Sequence, residues 1–268
     1  MLFINSTMGL KEGISSRIAA LTLGLDFIGE ERKFYRFAPI LEATEKDIVW
    51  TNTIGLCYAT DANIIVCSQA TKNDNTFIIS KNPRLDYTKL VNLYADNIFI
   101  TGDFEVGANP KIHENVVIYD NVKIGDNCII HPGCVIGSEG FGFVKDDDKL
   151  VKFPHIGKVI IGDNVEIQAM TNIDRGTLGN TIIGDGTKID THCHIGHNTR
   201  IGKNCTICAK TQTGGSNIIE DNVFLAPNTV IRTGGITIGK GAFTGAGSLI
   251  VKDVKSGDRV MGHPAKPF

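Results

Sequence analysis

His197 stands in the pentapeptide HIGHN, two residues past Ile195. An imidazole titrates near neutrality and can take up a proton as a bond forms beside it. A single histidine in a repetitive sequence is equally well explained as a solvated corner residue. His192, Cys193, His194, Cys205 and Cys208 crowd the same stretch. Structural zinc takes four ligands at recurring spacings such as paired CxxC, and here one CxxC stands unpaired, so no metal is expected. In the sequence GFGF, Phe141 and Phe143 follow Glu139. The two rings either pack their loop down or line a pocket in which Glu139 meets hydroxyls. Asp174 and Arg175 in NIDRG form a corner salt bridge, or orient a bound sugar or phosphate. Trp50, the single tryptophan, follows Ile48 and Val49, where core packing is the default.

The elements that must position these residues fall into two regions. Over 1–99 the pattern is that of a small α/β domain. Lys11 to Leu23 carries Ile14, Ile18 and Leu21 at helical spacing. Ile64 to Gln69 and Thr76 to Ser80 read as short buried strands. Pro83 to Tyr94 places Tyr87, Leu90, Val91 and Tyr94 on one face of a second helix. Over 100–268 aliphatic residues recur every sixth position, from Val106 through Ile112, Ile118, Ile124, Ile130 and Ile136. The register resumes at Ile161, Ile167 and Ile173, then from Ile183 to Ile231, and ends at Ile238, Thr244 and Ile250. Neither a helix nor an alternating strand has a period of six. A triangular coil with one inward aliphatic per side does, and stacked coils bury what no single coil could. The expected fold is a left-handed parallel β-helix of hexapeptide repeats with a small N-terminal α/β domain. Residues 138–160 break the register as an inserted loop bearing Asp146, Asp147 and Asp148, and such an excursion is commonly functional or an interface.

Composition narrows the class. The 268 residues carry a formal net charge of −2, so no basic surface points to nucleic acid or an anionic membrane. No apolar run is long enough for a membrane span, and the first residues do not read as a secretory signal. Seven cysteines at irregular spacings then read as reduced thiols in a cytoplasmic protein.

Several motifs carry a family resemblance. LDFIGEE at 25–31, APILEATEKDIVWTN at 38–52, KNPRLDY at 81–87, IGSEGFGF at 136–143, GKVIIGDNVEIQAMTNIDRGTLGNTIIG and HIGHN together resemble UDP-3-O-acylglucosamine N-acyltransferases, the β-helix enzymes of lipid A synthesis. The closing GHPAKPF is similar to the end of the β-helix in that family and in CoA-dependent sugar acetyltransferases. The resemblance implies a homotrimer with active sites between neighbouring β-helices, and an N-terminal domain that grips the nucleotide base. It implies that His197 is the essential general base, that Trp50 stacks on the base, and that Asn52 contacts it. Two departures stand out. Gly235 occupies the place of the family's second histidine, and the sequence runs to Phe268 without the C-terminal helical extension implicated in holding acyl carrier protein.

The implied reaction moves an acyl group from a thioester to the amine of a nucleotide-linked amino sugar. Glu139, Phe141, Phe143, Asp174 and Arg175 are then expected on the sugar side. Gly214, Gly215, Gly234 and Gly235 are expected along the pantetheine arm, their N–H groups open to an oxyanion; plain corner geometry explains them equally. Arg232 and Lys266 are expected at CoA phosphates. No cofactor is expected beyond the co-substrate, acyl-CoA or acyl carrier protein. Within this class the lipid A step stands beside CoA-dependent acylation of a dTDP- or UDP-linked amino-deoxysugar. Outside it stand a β-helix zinc enzyme of carbonic anhydrase type and a non-catalytic scaffold.

Overall fold

The computed structural model describes residues 4–5, 9–10, 13–94 and 104–267. The chain divides into two compact units, one within 1–98 together with 141–156, the other within 99–140 and 157–268. The expected boundary at 99/100 lies outside the described residues.

The first unit is built on a five-stranded sheet. Its strands lie in the order Asp26–Ile28, Thr76–Ile79, Ile64–Cys67, Asp47–Trp50 and Arg36–Phe37, all parallel except the Asp26–Ile28 edge. Ile64, Ile65, Val66 and Cys67 are all buried, as a central parallel strand covered on both faces requires. Helix α2 (Pro83–Tyr94) buries Tyr87, Leu90 and Val91, and the Tyr87 hydroxyl donates to the Ile48 carbonyl at 3.1 Å. Arg36 grips the buried Asp47 carboxylate through Nε at 2.9 Å and Nη2 at 2.6 Å, joining two neighbouring strands.

The first helix differs from expectation. Helix α1 spans Ser16–Leu23, capped by the Ser15 hydroxyl and closed by Gly24 in the left-handed region, and Ile14 lies in a strand before it. The buried face is made of Ser16, Ala19 and Ala20, while Ile18 and Leu21 are 56% and 70% exposed. Small side chains let the helix approach its neighbours closely, so the larger aliphatics face outward. Lys11 and Glu12 lie outside the described residues.

Residues 141–156, within the expected insertion, belong to this unit. They form a hairpin, Phe143–Asp146 with Lys149–Lys152, turning at Asp147 with φ 51°. Of the three aspartates, Asp147 and Asp148 form the turn and Asp146 ends the first strand. The hairpin rests on α2 through the Lys89–Asp146 ion pair at 2.9 Å and an Asn92 to Lys152 carbonyl hydrogen bond at 2.9 Å.

The second unit is the left-handed parallel β-helix. Three parallel sheets stack strands two to four residues long. The first sheet has seven strands, from Glu105–Val106 to Thr237–Ile238. The third also has seven, from Val117–Ile118 to Leu249–Ile250. The second runs from Lys111–Ile112 to Phe243–Thr244 and is extended by Arg259–Gly262 and Ala265–Pro267. The predicted aliphatics pair in register, Ile130 with Ile167, Ile167 with Ile189 and Ile189 with Ile207. All are buried from Ile124 onward, each worth roughly 1.5–3 kcal/mol relative to exposure. In the first coil, which has none stacked before it among the described residues, Val106 and Ile118 are partly buried and Ile112 is exposed.

A second inward column lies two residues before each aliphatic. It consists of small side chains such as Cys128, Cys134, Thr171, Thr187, Cys193, Thr199, Cys205 and Thr211, all buried. Four of the seven cysteines thus fill the solenoid core. Corners fall where the backbone turns left-handed, at Asn109, Asn115, Asn121, Asn127, Asn164, Asn198, Asn204, Asn222 and Asn228 among others. Asparagine tolerates this conformation through local hydrogen bonding.

Candidate active site

His197 follows the strand His194–Ile195 and directly precedes the left-handed corner Asn198. Its Nδ1 lies 2.9 Å from Asn198 Oδ1 and 3.2 Å from Thr177 Oγ1. The Thr177 backbone N–H donates to the same Oδ1 at 2.9 Å, which fixes the amide with its oxygen toward the histidine. The Thr177 hydroxyl also donates to that oxygen, at 2.8 Å. Both partners of Nδ1 therefore present lone pairs, and the neutral imidazole carries its proton on Nδ1. Nε2 is left as the basic nitrogen. The Asn198 N–H donates in turn to Thr181 Oγ1 at 2.9 Å, tying the corner to the preceding coil.

The other face of the ring is set by Gly215, one coil further on. A Cβ placed there would lie 2.5 Å from His197 Cε1 and Nε2 and 2.9 Å from Cδ2. The imidazole thus rests on bare backbone, a place only glycine provides. The Ser216 N–H donates to the His197 carbonyl at 2.8 Å, so the two coils are in register at this point. Sequence reasoning singled out His197 but neither Asn198 nor Thr177 beside it. Asn198 was legible as the neighbour in HIGHN, whereas Thr177 lies 20 residues away and had no local signal.

The four glycines expected along an acyl donor separate into two kinds. Gly214 N–H donates to the Ile231 carbonyl at 2.8 Å, and Gly234 N–H to the Gly215 carbonyl at 3.2 Å, so both are engaged in the solenoid. Among the described residues no hydrogen bond engages the N–H of Gly215 or Gly235. Arg232 is exposed and folds back onto the Val251 and Thr233 carbonyls, each at 3.0 Å. Lys266 is exposed and lines a shallow cavity of 270 Å³ with Lys252, Val254, Pro264 and Pro267.

Asp174 and Arg175 do not form a salt bridge with one another. Arg175 is fully buried; its Nε donates to the Gly137 carbonyl at 2.6 Å and its Nη2 to Asp120 Oδ1 at 2.6 Å. It braces the strand from which the chain leaves the solenoid. Asp174 instead accepts from Asn172 Nδ2 at 2.7 Å and Ser138 Oγ at 3.0 Å, and its Oδ2 lies 3.6 Å from His194 Nε2. Neither Asn172 nor Ser138 was singled out by sequence.

Glu139 is exposed on the β-helix side of the divide, while Phe141 and Phe143 fall in the first unit. There the two rings make an edge contact at 4.9 Å, and Phe141 is 89% exposed. Trp50 is half-buried at the last position of its strand, and Asn52 is exposed just beyond. Both stand at the carboxyl end of the parallel strands, the edge where open α/β sheets take ligands. Among the described residues no three His, Cys, Asp or Glu side chains converge to hold a metal. As the repeat register predicts, Cys205 is buried and Cys208 is not. Burial pushes both thiols up, and Cys193 to about 11. No helix among the described residues is long and apolar enough to cross a membrane.

Comparison with known proteins matches residues 105–138 and 180–215 to the bacterial transferase hexapeptide (six repeats). The UDP-3-O-acylglucosamine N-acyltransferase of Methylobacterium nodulans is 47% identical over 132 residues, covering 49% of this chain and 37% of that protein. Its counterpart from Methylobacterium sp. strain 4-46 is 46% identical over the same shares. The chain therefore spans little more than a third of the length of these relatives. Among solved structures, the LpxA of Acinetobacter baumannii superposes with a TM-score of 0.56 at 25% identity, covering 63% of each chain. Over about half of its length, then, the chain is similar to the UDP-3-O-acylglucosamine N-acyltransferases, and it is built on hexapeptide repeats.

Proposed function

We propose that the protein transfers an acyl group from a thioester to the amine of a nucleotide-linked amino sugar, with His197 as general base. The observation that carries this reading is the fixed tautomer of His197. Asn198 Oδ1 and Thr177 Oγ1 hold the proton on Nδ1, so Nε2 accepts one. The amine attacks the thioester carbonyl carbon, the C–N bond forms, and the amine proton passes to Nε2. Asn198 Oδ1 stabilises the imidazolium that results. The tetrahedral oxyanion is met by backbone N–H, for which Gly215 is the donor beside the ring. Collapse breaks the C–S bond, and the proton on Nε2 leaves with the thiolate.

The first unit takes the nucleotide in this reading, with Trp50 stacking on the base and Asn52 hydrogen-bonding to it. Glu139, Phe141, Phe143 and Asp174 belong to the sugar side, and Arg232 and Lys266 to the donor's phosphates. Arg175 acts from within, holding the Gly137 strand. Ile160 and Ile182 pair outward on the first sheet and Arg200 separates them from the exposed Ile218; in this reading β-helices associate side by side as a homotrimer. The names of the sequence relatives support a place in lipid A biosynthesis, and the protein then works in the cytoplasm on soluble thioester donors.

The experiment is thiol release from the purified chain. It uses short acyl-CoAs with UDP- and dTDP-linked amino sugars, then a hydroxyacyl carrier protein with a UDP-glucosamine lipid precursor. Amine-dependent release with either set supports the reading and names the donor. Release with neither refutes it.

A further inference from the structure

The hexad register is broken on two successive coils, and both breaks fall at the corner where the third sheet passes to the first. The first break is the excursion over 138–160. The second is the turn after Ile173, where the next inward aliphatic, Ile183, comes ten positions on instead of six. His197 and Asn198 occupy the same corner one coil further along.

The long turn is bound on both sides. Toward the excursion, the Gly157 N–H is shared between the Gly176 carbonyl at 2.9 Å and the Thr177 carbonyl at 3.2 Å. The Lys158 carbonyl accepts from Thr181 N–H at 2.9 Å and Gly176 N–H at 3.3 Å, and Lys158 N–H donates to Asn180 Oδ1 at 3.2 Å. Toward the site, Thr177 N–H donates to Asn198 Oδ1 at 2.9 Å, and Thr181 Oγ1 accepts from Asn198 N–H at 2.9 Å. One turn thus holds the re-entering chain on one side and the His197 corner on the other.

The packing between turn and re-entering chain leaves no slack. A Cβ on Gly157 would overlap the Gly179 carbonyl oxygen and lie 2.5 Å from that of Gly176, and a Cβ on Gly176 would overlap the Gly179 oxygen as well. Neither glycine has a positive φ, so space rather than backbone angle excludes a side chain. The obstructing atoms are main chain and cannot swing aside. Anything that thickens the chain at 157 therefore moves the turn, and with it both Thr177 donors to Asn198 Oδ1. Those donors are what orient the Asn198 amide. Once they withdraw, the amide can present its NH₂ to Nδ1 of His197, and the ring proton then belongs on Nε2.

We infer that Gly157 is a positioning residue for His197. The re-entering chain sets the turn, the turn sets the Asn198 amide, and the amide sets which ring nitrogen carries the proton. The inference rests on the reading of His197 as general base, and Gly157 acts through the turn rather than on the reacting atoms.

The test reads the tautomer directly, by nitrogen-15 NMR of the full chain labelled in histidine. It is run at about pH 9, above the ordinary imidazole range, with His197 assigned from the signals lost in His197→Gln. The wild type should show Nδ1 protonated and Nε2 bare. Gly157→Ala should move the His197 proton wholly or partly to Nε2. Its kcat for thiol release should fall by about 10–100-fold, with KM for the sugar within about threefold. In an Asn198→Gly background the same change should cost less than about threefold, because the amide it acts through is gone; a glycine needed only for folding would lower kcat equally in both backgrounds. Should Gly157→Ala fail to fold, Asn180→Ala carries the test, since it removes the acceptor of Lys158 N–H and should shift the tautomer in the same direction. A proton on Nδ1 in the wild type that stays there in the folded variant overturns the inference and leaves the general-base reading standing. A proton on Nε2 in the wild type overturns both.

Discussion

Replacing Gly215 with alanine adds one methyl group, and its effect can be worked from geometry. The Gly215 backbone is not in the left-handed region, so alanine is compatible with it. The new Cβ would lie 2.5 Å from both Cε1 and Nε2 of His197, where ordinary contact begins near 3.4 Å. The ring must retreat by roughly 1 Å, and a displacement of that size can cost about 100-fold in rate, or about 2.7 kcal/mol of barrier. Because His197 is only partly buried its ring can swing outward, so stability should fall by less than about 1 kcal/mol, below the usual cost of overpacking a closed core. The assay is steady-state thiol release with the acceptor and donor that support turnover. The expected result is a fall in kcat with KM for the sugar held within about threefold, since substrate binding is not touched. The decisive comparison is a double-mutant cycle. In a His197→Ala background the glycine change should have no further effect. If Gly215→Ala keeps full activity, or slows both backgrounds equally, the steric argument is wrong.

Asn198→Gly keeps the left-handed corner but removes the oxygen that receives the Nδ1 proton; kcat should fall about 10–100-fold, with denaturant stability unchanged within about 1 kcal/mol. Arg175→Met should lower stability by about 3 kcal/mol, because Asp120 and the Gly137 carbonyl lose a buried partner, while KM for the nucleotide sugar stays constant; a KM effect without loss of stability would mean that Arg175 meets substrate directly. In the native protein a thiol reagent at pH 8 should label Cys208 alone, the six buried cysteines reacting only on unfolding. Burial raises Cys67 to about 12 and Cys193 to about 11. Their folded values lie above the unfolded ones, so the stability they contribute is complete below about pH 9 and declines as pH rises toward 11–12. Urea midpoints measured across that window check the sign.

The solenoid was legible because its period is carried by one bulky residue type. From Ile124 to Ile250 every inward position named from the hexads is buried. The second inward column escaped notice because its members, Thr, Cys and Val, share size rather than hydropathy. Helix α1 misled for the opposite reason. Ile14, Ile18 and Leu21 have helical spacing, but close packing through Ala19 and Ala20 decides which face is buried. In the candidate site, His197 and Asn198 are adjacent in one motif, so a local reading reaches both. Thr177 and Gly215 meet the ring only through coil stacking. The expected Asp174–Arg175 pair failed because each group is claimed by partners from other coils, Asp174 by Ser138 and His194, and Arg175, just past the strand end, by Asp120 and the Gly137 carbonyl.

The most direct test of the account is single-turnover thiol release by His197→Gln, beside binding of the same nucleotide sugar by calorimetry. Glutamine retains a hydrogen-bonding side chain of similar reach but cannot act as a base. The account predicts acceptor affinity within about threefold of the wild type and a rate lowered by about 10²–10⁴-fold, the range of general-base contributions. Turnover near that of the wild type would contradict it.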